Sequence, residues 1–150
     1  MRSKYEQFTG SVLCLSRCIQ KIQRTEMAKY GLKGAHAQCL ITMNHYPDGL
    51  TVAQLSRISD KDKAAISRTL TELEREGLVE RRRHSGNAYR APICLTEAGV
   101  QAAVRVDQLA RRAVEQAGAG LTDEKRAVFY EALDLIATNL LRISQDGIEE

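Results

Sequence analysis

The chain has 150 residues, of which 43% are hydrophobic and 27% are charged, and its formal net charge is +3 at pH 7. This composition is typical of a folded globular domain and argues against a disordered chain, and no apolar run approaches the roughly 18 residues of a membrane span. Because the N-terminus has no signal-peptide core, we expect a cytoplasmic protein with no membrane partner, and we expect its 4 cysteines to be free thiols.

Apolar residues recur at helical spacing near both ends of the chain, which predicts a long helix over residues 3–29 and another for which Thr122 is the expected N-cap. The first seam consists of Tyr5, Phe8, Val12, Leu15, Ile19 and Ile22, and the second consists of Phe129, Leu133, Ile136, Leu140 and Ile143. A narrow apolar seam on a terminal helix requires a partner. Packing within one monomer and pairing with a second chain are both open at this point.

Three shorter helices are predicted between these ends. Residues 33–46 form the first, and the turn residues 47–49 close it. Thr51 begins a capping-box pattern for the second, whose expected buried residues are Val52, Leu55 and Ile58. A polar turn at 59–62, with Asp62 as an expected cap, then leads into a third helix over about 62–76, and Gly77 is expected to end it.

After Gly77 the pattern becomes extended, which predicts a β-hairpin with strands at 78–81 and 91–95. The segment between the strands contains turn residues at 86 and 87, and four arginines without any acid lie within residues 81–90. A charge cluster of this kind indicates a polyanionic partner. Thr96 is expected to cap a further helix from 97 to about 116.

Two short helices followed by a basic hairpin are typical of a winged helix-turn-helix. The buried stripe of the second helix is expected to consist of Ile66, Leu70 and Leu73. The opposite side then presents Ala64, Arg68, Thr71 and Arg75, with Lys63 and Ser67 on the flank. Such a face alone would also fit a solvated surface helix. Together with the arginine-rich hairpin it favours insertion into a DNA major groove.

Residues 49–99 resemble the MarR family of bacterial transcriptional regulators. The matching segments are Gly49–Leu55, Asp62–Arg68, Leu73–Arg81 and Leu95–Gly99, in this order and at this spacing. The resemblance implies a mostly α fold with a small β-hairpin wing (α+β), in which residues 1–150 form one domain. Residues 32–96 would form the winged helix-turn-helix lobe, and 3–30 and 97–146 the dimerisation helices.

The resemblance also implies a function as a DNA-binding transcriptional regulator, expected to be a repressor. A homodimer would bind a pseudo-palindromic operator in double-stranded DNA, and a small-molecule effector would release it. The expected DNA-binding residues are Thr51, Lys61, Lys63, Ala64, Ala65, Ser67, Arg68, Thr71, Arg82, Arg83, Asn87, Tyr89 and Arg90. The wing departs from the usual Asp-x-Arg pair, because Asn87 and Tyr89 occupy those two positions and Arg90 follows one place later.

Residues outside the predicted DNA-binding face are candidates for effector binding or redox chemistry. Arg17 and His36 are candidates to line an effector site. Cys14 and Cys18 share one side of the first helix and define an alternative, a thiol-based redox-sensing regulator. No metal-ligand spacing, phosphate loop or nucleophile elbow occurs, so we expect no metal, no cofactor and no enzymatic activity. A coiled-coil interaction protein without DNA binding is a further alternative, but it leaves the basic wing unexplained.

Overall fold

The computed structural model describes residues 1–82 and 91–149. Its helices are α1 (Lys4–Met27), which continues into a 3-10 turn (Ala28–Tyr30), α2 (Gly34–Asn44), α3 (Val52–Ser59), α4 (Lys63–Arg75), α5 (Glu97–Ala117) and α6 (Asp123–Asp146). Two short strands, β1 (Val79–Arg81) and β2 (Ile93–Leu95), lie between α4 and α5. The predicted order of elements and the mostly α fold with a small hairpin are therefore confirmed.

Side-chain caps fix where the helices begin. Four helices are each preceded by a residue whose side chain accepts a hydrogen bond from the backbone N–H three residues later. These residues are Ser3, Thr51, Asp62 and Thr122. These bonds satisfy N–H groups that have no partner inside the first helical turn. The caps predicted from the sequence at Thr51, Asp62 and Thr122 are thus confirmed.

The chain divides into two compact units, Met1–Arg112 and Ala113–Glu150. The first unit contains one hydrophobic core, to which α1, α2, α3, α4, the hairpin and α5 contribute. Its buried residues include Met27, Leu32, Ala37, Leu40, Met43, Leu50, Leu55, Ile66, Leu70, Leu73, Leu78, Val79, Ile93, Ala102, Ala103 and Val106. In the short helix α3, Leu55 lies in this core and Val52 packs against it half-buried, whereas Ile58 is 46% exposed, so the expectation that Ile58 is buried is wrong.

The two strands form the base of the predicted hairpin. They pair antiparallel with Val79 opposite Leu95, and Leu50 forms an additional bridge with Ile93 through two backbone hydrogen bonds of 3.0 and 2.9 Å. This arrangement ties the segment before α3 to the hairpin. The predicted tip, residues 84–90, lies outside the described residues.

The terminal helices carry the two predicted apolar seams on exposed surfaces. In α1, Tyr5, Phe8, Val12 and Leu15 are exposed, while Ile19 and Ile22 are half-buried. In the second unit, the whole seam of α6 from Phe129 to Ile143 is exposed. A single chain therefore leaves much of both seams in contact with water. Within the described part of the chain, no helix is both long and apolar enough to cross a membrane.

Candidate nucleic-acid interface

Helix α4 has one buried side and one open side. Ile66, Leu70 and Leu73 are at most 3% exposed and anchor the helix to the core. The open side forms a shallow groove lined by Ala64, Ser67, Arg68, Thr71, Glu72 and Arg75. The predicted exposed face is therefore the observed one, with Glu72 as an addition that the sequence reasoning did not place in it.

The N-terminal end of α4 combines a cap with two exposed cations. The Asp62 carboxylate accepts a hydrogen bond of 2.7 Å from the backbone N–H of Ala65, so it acts as the predicted cap. Lys61 and Lys63, on either side of this cap, are both exposed. Positive side chains beside a helix N-terminus form a surface that attracts phosphate.

The hydroxyl groups predicted to contact DNA are partly engaged within the protein. Thr71 Oγ1 donates to the backbone carbonyl of Ser67 at 2.9 Å, which leaves its acceptor lone pairs available. Thr51 Oγ1 accepts from the backbone N–H of Gln54 at 3.2 Å as the cap of α3. Thr51 therefore retains its hydroxyl proton and one acceptor lone pair for another partner.

The structure describes only the base of the wing. Arg82 is exposed, and its backbone N–H donates to the carbonyl of Pro92 at 3.0 Å. Arg81 lies close to Glu74, with 3.5 Å between Nε and Oε2. The expected wing contacts Arg83, Asn87, Tyr89 and Arg90 lie outside the described residues.

An open cleft of about 780 Å³ lies where α1, the start of α2 and the turn before α4 meet. Four cations line it: Arg17, Lys21, Arg24 and Lys61. The other lining residues are Cys18, Gln20, Gln23, Gly34, Ala35 and Gln38, so no carboxylate is among them. Because like charges converge without acids, this cleft favours an anionic ligand.

Only part of this cleft was predicted from the sequence. Arg17 was expected to line an effector site, whereas Lys21 and Arg24 were not, although spacings of four and three residues put all three cations on one side of α1. That spacing was the available signal. His36 does not line the cleft. Its ring is buried, and its two nitrogens contact the Lys33 backbone N–H and the Glu72 carboxylate.

The cysteines fall into two groups. Cys14 and Cys18 are exposed on α1, and Cys18 lines the cleft, whereas Cys39 and Cys94 are buried. Burial raises the pKa of the Cys39 thiol to about 12, although the nearby charge of Lys61 opposes the shift. Cys39 is therefore a poor nucleophile at neutral pH. The redox alternative at Cys14 and Cys18 stays a prediction.

Groups of three or more histidine, cysteine, aspartate or glutamate side chains that could hold a metal ion are absent from residues 1–82 and 91–149. The chemistry of the described surface is instead that of hydrogen bonding and charge. Its main features are the open face of α4, the base of the wing and the cationic cleft.

The chain is similar to several known proteins. Residues 30–88 match the family model described as the MarR family. A protein of Thauera aromatica, named for transcriptional regulation of the hcr operon, is 28% identical over 124 residues, which are 83% of this chain and 72% of that protein.

Two solved structures share the fold over nearly the whole chain. A MarR transcriptional regulator from Methanosarcina mazei Go1 has a TM-score of 0.79 and 22% identity, and the match covers 92% of this chain and 99% of that one. A crystal structure of MarR has a TM-score of 0.80 and 21% identity, with 97% and 99% of the two chains covered.

The helix pair α3–α4, the paired strands after it and the open polar face of α4 define a winged helix-turn-helix DNA-binding protein. The match of residues 30–88 to the MarR family model agrees with the resemblance drawn from the motifs of the chain, and that resemblance is confirmed. These matches argue against a coiled-coil protein that does not bind DNA.

Proposed function

We propose that this chain is a repressor that binds a pseudo-palindromic operator in double-stranded DNA as a homodimer and that a small-molecule effector releases it. The observation that carries sequence-specific binding is the open face of α4, where small and hydroxyl-bearing residues flank Arg68 and Arg75 opposite a buried stripe. A face of this composition allows close approach to base edges and offers hydrogen bonds and positive charge to them.

Five residues on or beside this face have roles in the proposal. Ala64 and Ala65 let the helix approach the major groove closely and offer methyl contacts to thymine. Ser67 and Thr71 exchange hydrogen bonds with bases or phosphates. Arg68 is the side chain proposed to read a guanine edge, because an arginine donates two parallel hydrogen bonds to guanine O6 and N7.

Residues around α4 are proposed to contact the sugar-phosphate backbone of the DNA. In the proposal, Lys61, Lys63 and the hydroxyl of Thr51 contact the phosphates that flank the groove, and Arg82 contacts a phosphate near the wing; all three cations are exposed. The remaining proposed wing contacts are Arg83, Asn87, Tyr89 and Arg90. In this scheme the phosphate contacts set the orientation of the protein on the DNA, while the contacts of α4 determine which base sequence is recognised.

The homodimer is supported by the exposed apolar seams of α1 and α6. In the proposal, residues 1–150 act as one domain in which 32–96 form the DNA-binding lobe and the helices 3–30 and 97–146 associate with a second copy. Two lobes related by a two-fold axis then require two half-sites related by the same axis. The operator is therefore expected to be a pseudo-palindrome.

The replacement of Arg68 by alanine tests the DNA-binding face. We expect Arg68→Ala to weaken operator binding by about 1–3 kcal/mol, or roughly 5- to 150-fold, and to affect random DNA much less, because a lost base contact removes discrimination. The free energy of unfolding should change by less than about 0.5 kcal/mol, since Arg68 is exposed. Fluorescence anisotropy measures both affinities on an operator selected from a randomised duplex pool.

Arg68→Lys is the matched control, since it keeps the charge but loses the planar fork of the guanidinium. If Arg68 reads a base through two parallel hydrogen bonds, lysine restores only part of the operator affinity that alanine loses. If Arg68 only touches a phosphate, lysine restores binding, and alanine flattens the slope of log K against log salt by about one unit on both DNAs. Unchanged binding by Arg68→Ala to both DNAs would show that α4 does not present this face to DNA.

The cationic cleft is the proposed effector site, and its charge favours an effector that carries an anion. Lys61 lines the cleft and directly precedes Asp62, the residue that caps α4. An anion bound in the cleft would therefore attract the Lys61 ammonium group. In the protein without effector, the same group is available to a DNA phosphate. Loss of that contact would lower the affinity for DNA.

Benzoate and the uncharged benzamide form a matched pair of probes for this site. We expect millimolar benzoate to weaken operator binding and benzamide to have no effect, because only the former carries the charge. Lys21→Ala should reduce the response to benzoate about fivefold, the value of one ion pair of about 1 kcal/mol in water. Lys4→Ala, outside the cleft on the same helix, is the control. Equal responses to both probes would refute an anion site.

A further inference from the structure

A buried histidine on α2 contacts an acid on the DNA-facing helix. The distance between His36 Nε2 and Glu72 Oε2 is 2.6 Å. The His36 side chain is only 4% exposed, whereas the Glu72 side chain is 47% exposed. One end of this contact is therefore fixed in the core, and the other lies at the edge of the groove on α4.

The backbone of Lys33 determines which imidazole nitrogen carries the proton. The Lys33 backbone N–H donates to His36 Nδ1 at 2.9 Å. Because a backbone N–H can only donate, Nδ1 must be the unprotonated nitrogen, and the neutral ring then carries its hydrogen on Nε2. His36 thus donates from Nε2 to the Glu72 carboxylate, in a tautomer set by the main chain.

The contact with His36 keeps Glu72 from pairing with Arg68. Glu72 lies four residues after Arg68, a spacing at which opposite charges on an exposed helix commonly pair. Within residues 1–82 and 91–149, however, no carboxylate lies within 4.0 Å of the Arg68 guanidinium, and Glu72 pairs with His36 instead. Arg68 and Glu72 nevertheless line the same groove.

We propose that His36 is a positioning residue for DNA recognition, which holds the Glu72 carboxylate against α2 and so keeps Arg68 available to DNA. The inference rests on the DNA-binding function proposed above. A carboxylate that is free to turn along α4 would neutralise Arg68 and would approach the phosphates, which repel it. The acid is compatible with a DNA-binding face because the buried ring directs it toward the protein.

A double-mutant cycle measures this role. His36→Leu removes the donor, and we expect it to weaken binding to the selected operator duplex about three- to tenfold when Glu72 is present. In a Glu72→Gln background the same change should have almost no effect, since no carboxylate remains to be released. His36→Gln is the conservative control. Its amide can accept from Lys33 and donate to Glu72, so its affinity should stay near that of the wild type.

Thermal unfolding and NMR of the same variants separate positioning from stability. In the wild type, long-range ¹H–¹⁵N spectra should show the proton of His36 on Nε2, and the Arg68 side-chain N–H signals should shift in His36→Leu but not in His36→Gln. If His36→Leu lowers the affinity for DNA by the same factor in the wild-type background and in the Glu72→Gln background, the inference is overturned. The proposed DNA-binding function would not be affected by that result. A wild-type protein that binds no duplex would overturn both.

Discussion

Replacement of Gly99 by alanine should destabilise the protein by about 2–3 kcal/mol, although alanine is normally the better residue in a helix. Gly99 lies in the first turn of α5 and faces the chain where α4 leads into β1. A Cβ at this position would lie 1.9 Å from the carbonyl oxygen of Leu78 and 3.3 Å from Cδ2 of Leu95. The backbone of Leu78 cannot move away without weakening the hydrogen bond of 3.1 Å that its carbonyl accepts from Thr96.

Gly10→Ala is the matched control within α1. No atom lies within 4 Å of the Cβ that would be added there, so this variant should gain the ordinary helix preference of alanine, about 0.5–1 kcal/mol. Denaturant unfolding at one fixed protein concentration compares the two variants, because association with a second chain shifts apparent stability. A Gly99→Ala protein as stable as wild type would show that α5 does not approach the base of the wing this closely.

A charge on each apolar seam should prevent the proposed homodimer from forming. Leu15 on α1 and Leu140 on α6 are 57% and 49% exposed in the single chain. Glutamate at either position should therefore cost little within one protomer. If a second copy covers these seams, however, an unpaired carboxylate is buried, which costs several kcal/mol. We expect Leu15→Glu/Leu140→Glu to be monomeric at micromolar concentration, where the wild type has the mass of a dimer by light scattering.

The double variant Leu15→Met/Leu140→Met is the control, because methionine preserves an apolar surface of similar volume. It should remain dimeric. The glutamate variant should also lose most of its affinity for a two-half-site operator, since each lobe would then bind alone. A wild-type protein with a monomeric mass would contradict the homodimer directly, and a dimeric glutamate variant would place the interface elsewhere.

Much of the DNA-binding lobe follows from local sequence signals. The caps at Thr51 and Asp62, the stop at Gly77 and the stripe of Ile66, Leu70 and Leu73 were all predicted, and the structure confirms each of them. These features depend on neighbours within a few residues, namely a cap and the amide that it satisfies, or apolar side chains repeated on one side of a helix. The open face of α4 follows directly, because the buried stripe determines its opposite side.

Contacts between distant segments of the chain were determined only by the tertiary structure. His36 and Glu72 are separated by 36 residues, and nothing in either segment indicates that their side chains meet. The need for glycine at position 99 comes from the carbonyl of Leu78, which belongs to another part of the chain. The same holds for the cleft, where Lys61 joins the cations of α1 only after α2 and α4 have packed. Sequence periodicity specifies which side of a helix is buried, whereas the partner on that side is set by how distant segments pack together.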